Sequence, residues 1–150
     1  MPAKFTVRIV AWSQALPLAR PVREKVFVEE QKVPLDLEWD EWDELSEHAL
    51  ALDPEGSPIG TARLLPDGRI GRMAVLKEWR LKGVGGALLS ALIDRARVRR
   101  MQCSVLHAQT HAAGFYRRFG FIERGEEFLE AGIPHVEMAL DLSRKGADGS

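Results

Sequence analysis

Residues 69–99 constrain the fold more tightly than any other stretch of the chain. They read as a short strand over 69–76, a basic glycine turn over 80–86 and an amphipathic helix from about Gly85. Within the helix Leu88, Leu89, Leu92, Ile93 and Ala96 recur at three- and four-residue spacing, while Ser90, Asp94, Arg95 and Arg97 take the other side. One face is therefore built for burial. A helix start leaves backbone N–H groups without intrahelical partners and carries a partial positive charge, and glycines admit an anion to that backbone. Strand, glycine turn and helix in that order make a phosphate cradle. Arg80 and Lys82 at its lip suit a ligand with several phosphates better than a lone carboxylate. Read alone, the glycines also fit a tight strand-to-helix turn with no ligand.

The length of 150 residues fits a single domain with a full core, placed over residues 1–142 with a frayed tail over 143–150. A net charge of -1 supplies no general basic field, which argues against nucleic acid or an anionic membrane as partner and leaves small molecules or peptides. The lone Cys103 excludes an internal disulfide framework and fits a reducing compartment. With no apolar leader and no run of membrane-spanning length, the expected location is the cytoplasm.

Before the glycine turn, alternation over 4–11 predicts a first strand, and Leu18, Val22 and Val26 predict a helix running to about Glu29. Pro17 and Pro21 both favour a first helical turn, which leaves the start of that helix open. Residues 30–44 are acidic and without period, read as loop with at most a short helix; the carboxylates from Glu38 to Glu44 with Trp39 and Trp42 suit attraction of a cationic substrate, and fit equally a solvated acidic loop whose tryptophans pack on the core. Strands over 48–52, 59–65 and 69–76 form a meander. Beyond the long helix come a strand over 103–108, a short helix over 111–119, and strands over 121–124 and 135–140 joined by a loop over 125–134.

A dinucleotide-binding reading fails because Leu88 stands where the third glycine would fall, and a P-loop fails because no Gly-Lys-Ser/Thr closes the turn. What remains is Arg80-x-x-Gly83-x-Gly85. This resembles the pyrophosphate motif of the GNAT acetyltransferases, Gln/Arg-x-x-Gly-x-Gly/Ala. Ala112-Ala-Gly-Phe-Tyr-Arg-Arg-Phe-Gly-Phe121 resembles that family's Ala-x-x-Phe-Tyr-x-x-x-Gly-Phe signature. Val22-Arg-Glu-Lys-Val-Phe-Val-Glu-Glu-Gln31 and Gly132-Ile-Pro-His-Val-Glu-Met138 resemble its bacterial ElaA-like branch. One departure is Gln109, where many relatives carry Asn.

The resemblance implies an α/β (α+β) acyl-CoA N-acyltransferase fold, with a mixed, mostly antiparallel sheet of about six to seven strands and about four helices. It implies acetyl-CoA as donor and direct transfer to a primary amine of a small molecule or peptide. The family resemblance leaves a homodimer open, with no residue marking it. The donor would lie along Met73, Ala74 and Val75, on Arg80, Leu81, Lys82, Gly83, Val84, Gly85 and Gly86, and beside Gln109, Ala112, Phe115 and Tyr116. Tyr116 matches the family tyrosine near the sulfur, where the resemblance implies a phenol that protonates the departing thiolate. For deprotonating the amine the candidates are His111 and His135, with Glu29, Glu38 and Asp40 behind them and Gln31 as a further substrate contact. No metal is expected: His107 and His111 have the spacing of zinc ligands, but Ala108 replaces the glutamate of that motif. The competing function is an acyl-CoA-binding sensor or interaction module that has lost catalysis.

Overall fold

The computed structural model describes residues 4–33 and 40–143. Among these are seven strands, four α-helices, a π-helical stretch and two 3-10 turns. They divide into two compact units: the described residues up to Pro66 with Ile70–Asp94, and Asp67–Arg69 with those from Arg95 onward.

In the first unit β1 (Thr6–Ala11), β2 (Glu47–Leu52), β3 (Pro58–Leu64) and β4 (Ile70–Val75) pair antiparallel in chain order. Asp53 sets the β2–β3 turn by accepting the N–H groups of Glu55 and Ser57, each at 2.9 Å. Helix α1 (Trp12–Arg23) follows β1 without a loop and widens into the π-helical stretch Glu24–Glu30. Both prolines lie inside α1, not at its start. Burial overrides their cost: Ala15 and Ala19 pack with Leu50, and Val22 and Val26 pack with Ala74 of β4. The widened turn begins at Glu24, three residues after Pro21, with Gln31 N–H reaching back five residues to Val26 O at 3.1 Å.

The short helix α2 (Trp42–Leu45) is bound to this unit by charge. Asp43, 2% exposed, accepts from Arg23 at 2.8 and 3.3 Å and from Arg63 at 2.9 Å. Asp40 accepts from Arg63 at 2.6 and 2.9 Å and from Arg72 at 3.3 Å. The ring of His48 lies 4.7 Å from that of Trp12 and donates Nε2–H to Asp43 O at 2.8 Å.

In the second unit β5 (Cys103–Gln109), β6 (Ile122–Glu130) and β7 (Ile133–Asp141) form an antiparallel sheet in the order β5-β7-β6. Arg69 adds an isolated parallel bridge to Val105, and Ser104 Oγ donates to Gly68 O at 2.6 Å. A 3-10 turn (Thr110–Ala112) leads into α4 (Ala113–Arg117), shorter than the helix expected over 111–119. Residues 125–134 are not the expected loop. They are the facing ends of β6 and β7, joined by Ala131 and Gly132 at φ 52° and 78°. Two consecutive left-handed residues make a type I′ hairpin, and Ala-Gly is a weak signal for it beside Asn-Gly or Asp-Gly. Pro134 is tolerated because β5 pairing ends at His135.

Burial holds the imidazole of His48 below its ordinary value of 6.5. The unfolded chain therefore takes up this proton first, so the contribution of neutral His48 is complete above pH 6.5 and declines as pH falls below it. Melting temperature should drop between about pH 7 and about pH 5, and His48→Gln, which keeps a donor for Asp43 O, should flatten that drop. An equally steep drop in the variant would assign the acid sensitivity elsewhere.

Candidate functional site

The first unit carries the glycine turn. Along β4 the register passes from Thr61↔Ala74 to Arg63↔Gly71, one residue on β3, Ala62, against two on β4, Arg72 and Met73, so β4 bulges. The bulge holds Arg72 at φ 51°, in the left-handed region, with its guanidinium on Asp40. Beyond it Ala74 is buried against α1, while Met73 and Val75 are half-buried. A 3-10 turn (Lys77–Trp79) then delivers Arg80. Arg80 donates Nε–H to Val75 O at 2.9 Å and Nη2–H to Glu30 at 2.7 Å, so it lies back along the end of the strand. Leu81 follows at φ 63° with its side chain fully in solvent, then exposed Lys82, then Gly83 at φ 86°.

Helix α3 (Val84–Val98) begins immediately, with Ala87 N–H bonded to Gly83 O at 3.0 Å. Val84 is buried and anchors the first turn, while Gly85 and Gly86 are half-buried. The tight seat of that turn depends on Gly60 of β3. A Cβ there would meet Val84 Cγ1 at 3.0 Å and Leu88 Cδ1 at 3.1 Å. The helix start thus presents its unpaired N–H groups and positive dipole end beside exposed Lys82.

In the second unit Gln109 ends β5, half-buried, and Ala112 ends the following 3-10 turn. Tyr116 of α4 packs edge-on to Phe115 and Phe121, with ring centroids 5.0 and 6.2 Å away. Part of the residue reaches solvent, yet burial pushes the phenol up to about 12. His111 is exposed on the 3-10 turn.

The expected acceptor residues are placed unevenly. His135 lies in strand β7, not in a loop, and is 7% exposed. Asp40 has both oxygens on arginines, and Arg63 above all holds its carboxyl below the usual carboxylate range; it is a structural anion, not an open acid. Glu29 is exposed on the π-helical stretch, Gln31 ends it, and Glu38 lies outside the described residues. Among the described residues no three His, Cys, Asp or Glu side chains are grouped as a metal site requires.

The family model for the acetyltransferase (GNAT) domain matches residues 18–142, a span that runs through both units. The chain belongs to the GNAT acetyltransferase family. This GNAT protein is 44% identical over 124 residues to an uncharacterized N-acetyltransferase, YjcF, of Bacillus subtilis, a match covering 80% of this chain and 88% of the relative. Among solved structures it is similar to a putative N-acetyltransferase of Lactobacillus plantarum, with TM-score 0.84 and 30% identity over 92% of this chain and 98% of the other. It is similar to Escherichia coli ElaA as well, with TM-score 0.82 and 28% identity over 92% of this chain and all of the other. The fold is that of the acyl-CoA N-acyltransferases, as the motif resemblance implied.

Sequence reasoning passes over Gly60, the Arg72 bulge, and the β6 residues Phe128 and Glu130. A glycine inside an apolar strand is the only signal for the first. Gly60→Val should lower the unfolding free energy by about 1–3 kcal/mol through overpacking at the head of α3, read by urea denaturation, with Gly60→Ala falling between it and the parent. An unchanged midpoint for Gly60→Val would mean that the helix start can move freely.

Proposed function

We propose that this GNAT protein transfers the acetyl group of acetyl-CoA directly to a primary amine of a small molecule or peptide, with no covalent enzyme intermediate. The observation that carries the reading is the left-handed Gly83 between β4 and the start of α3, with Arg80 and Lys82 at its lip, in a chain of this family. Backbone N–H groups at a glycine-opened helix start suit a pyrophosphate. The family match running over 18–142 supports taking residues 1–142 as one acetyltransferase domain.

On this reading Gly83–Gly86 and Lys82 hold the pyrophosphate, and Arg80 exchanges Glu30 for phosphate oxygens. The β4 backbone at Met73, Ala74 and Val75 takes the pantetheine arm and the acetyl carbonyl, with Gln109, Ala112 and Phe115 against the arm. The amine nitrogen attacks the thioester carbonyl carbon, a C–N bond forms, and the C–S bond breaks. Tyr116 serves the departing sulfur as a hydrogen-bond donor. With its phenol pushed up to about 12 and an ordinary thiol near about 8.5, complete proton transfer to the thiolate is uphill. The sulfur's proton therefore comes from the reacting nitrogen. Because the phenol stays protonated, Tyr116 contributes no limb to the pH profile between about pH 6 and about pH 9.

The reading is tested by acetyl-CoA consumption across amine classes, with each product identified by mass. N-acetylated product in proportion to free coenzyme A is the expected result. Tight acetyl-CoA binding without turnover on any amine would favour the non-catalytic binding module. Gly83→Val, which forces a β-branched residue to φ near 86°, should weaken coenzyme A binding at least about tenfold by calorimetry; unchanged affinity would remove the glycine turn from the donor site. Tyr116→Phe should lower kcat about tenfold, with coenzyme A affinity retained. Full activity in that variant would take the hydroxyl out of the mechanism.

A further inference from the structure

Beside Gln109, one face of the β5-β7-β6 sheet gathers groups that the proposed mechanism has not yet used. The register sets Gln109, His135 and Phe128 in one row across the three strands, and His107, Glu137 and Arg124 in the next. Glu130 faces Ile133 at the hairpin end of the same face. The Phe128 ring stacks on His135, with centroids 6.0 Å apart, and meets His107 edge-on at 5.0 Å.

Tautomers follow from the partners. His135 Nδ1 lies 2.6 Å from Ile133 O. A carbonyl only accepts, so Nδ1 carries the hydrogen and Nε2 of the neutral ring presents a lone pair. That lone pair faces Glu130 Oε2 at 3.9 Å. Glu130 Oε1 already accepts Nδ1–H of His107 at 2.8 Å, which orients the carboxylate. The neighbouring Glu137 is neutralised by Arg124 at 2.7 and 3.1 Å. Among the described residues no lysine or arginine pairs with Glu130. Two acceptors thus converge across 3.9 Å beside an aromatic face, on a carboxylate that no arginine or lysine among the described residues pairs with, and the His135 side chain is 9% exposed; His107, which orients Glu130, also reaches Glu137 Oε1 at 3.7 Å. What fits there is a donor carrying positive charge, within about 2.9 Å of each acceptor.

Building on the amine-acetylation reading above, we propose that Glu130 and His135 bind the protonated amino group of the acceptor, with Phe128 alongside and His107 positioning the carboxylate, and that His135 Nε2 takes its proton. The acceptor class is then an aliphatic primary amine, cationic at neutral pH. The step balances in charge. An ammonium–carboxylate pair becomes an imidazolium–carboxylate pair, the amine is left with its lone pair for attack, and the imidazolium returns the proton to solvent. The second proton leaves the nitrogen after attack and goes to the departing thiolate, giving coenzyme A as the thiol. Gln109 stands next to His135 across the sheet, which puts the base beside a residue expected at the donor's arm.

The test uses the full chain and a readout that does not need turnover. Ring resonances of isotopically labelled histidine, with His135 assigned from the signal missing in His135→Gln, are followed during titration with propylammonium chloride. A saturable shift of His135 is expected in the wild type. It should be absent with 1-propanol or with sodium chloride at equal ionic strength, and lost in Glu130→Gln. No saturable shift, or the same shift with sodium chloride, overturns the proposal. Where an acetylated amine is found, Glu130→Gln should raise KM for an aliphatic amine about tenfold or more, with KM for acetyl-CoA unchanged. The same variant should leave KM for an aniline, neutral at pH 7, unchanged. Equal losses for both amines would reduce Glu130 to a structural role. Saturable propylammonium binding without acetylation of any amine would overturn the function reading and leave the ammonium site standing, while acetylation without a His135 response would do the reverse.

Discussion

Asp43 carries the first unit. A carboxylate 2% exposed is tolerated only when its charge and lone pairs are met, and here Arg23 of α1 and Arg63 of β3 meet them from two elements. Arg23 is itself 1% exposed and lies over the Trp12 ring at 5.6 Å. Buried networks of this kind are costly to break, since removing one member strands a charge worth about 3–5 kcal/mol. Their effect is to fix geometry. Through Asp43 and Asp40 the short helix α2 and the chain before it are tied to α1, to β3 and to the bulge of β4.

That last tie matters because β4 is the strand on which the donor arm is expected. An extra residue in a strand reverses which side chains face the core. Ala74 remains inward, against Val22 and Val26, because the bulge absorbs its additional residue at Arg72 and not further along. Arg72 pays for a left-handed backbone that an arginine adopts reluctantly, and Asp40 supplies an ion pair to hold it there. The same strain recurs at Leu81, left-handed and fully exposed beside Gly83. Arg72 and Leu81 thus hold positive φ on both sides of the segment that joins β4 to α3, a cost the surrounding contacts must offset.

Elements with a clear period were legible in the residues themselves. The meander, the long helix and the strand at Cys103 needed only alternation or three-to-four spacing, and the observed bounds fall within two residues. The misplaced pieces share a cause. Pro17 and Pro21 argue locally for a helix start, but the Ala15, Ala19 and Val22 face buries enough to carry the helix through them. In β6 six consecutive exposed residues and a bulge between Arg124 and Phe128 erase the period, so 125–130 has no strand signal of its own. Its strand character comes from pairing with β7 across the hairpin. Motif spacing singles out Gly83 and Tyr116 as candidates, whereas nothing in the sequence singles out Glu130. Its significance depends on which histidine lies across the sheet.

Charge at the acceptor side illustrates the difference between composition and placement. The acidic stretch of residues 38–44 suggests a magnet for cations, yet two of its carboxylates, Asp40 and Asp43, are spent on Arg23, Arg63 and Arg72, while Glu41 and Glu44 stay exposed. Glu137 on β7 is likewise taken by Arg124. A carboxylate attracts a ligand only by the charge its neighbours leave uncancelled, and within a cluster that is decided by geometry over a few ångströms. Glu130 keeps its charge because the group that orients it is a histidine, which donates a hydrogen bond without a permanent cation. An arginine at His107 would orient the carboxylate equally well and cancel it. Positioning by a donor that carries no permanent charge is the arrangement that can leave an anion both fixed and available.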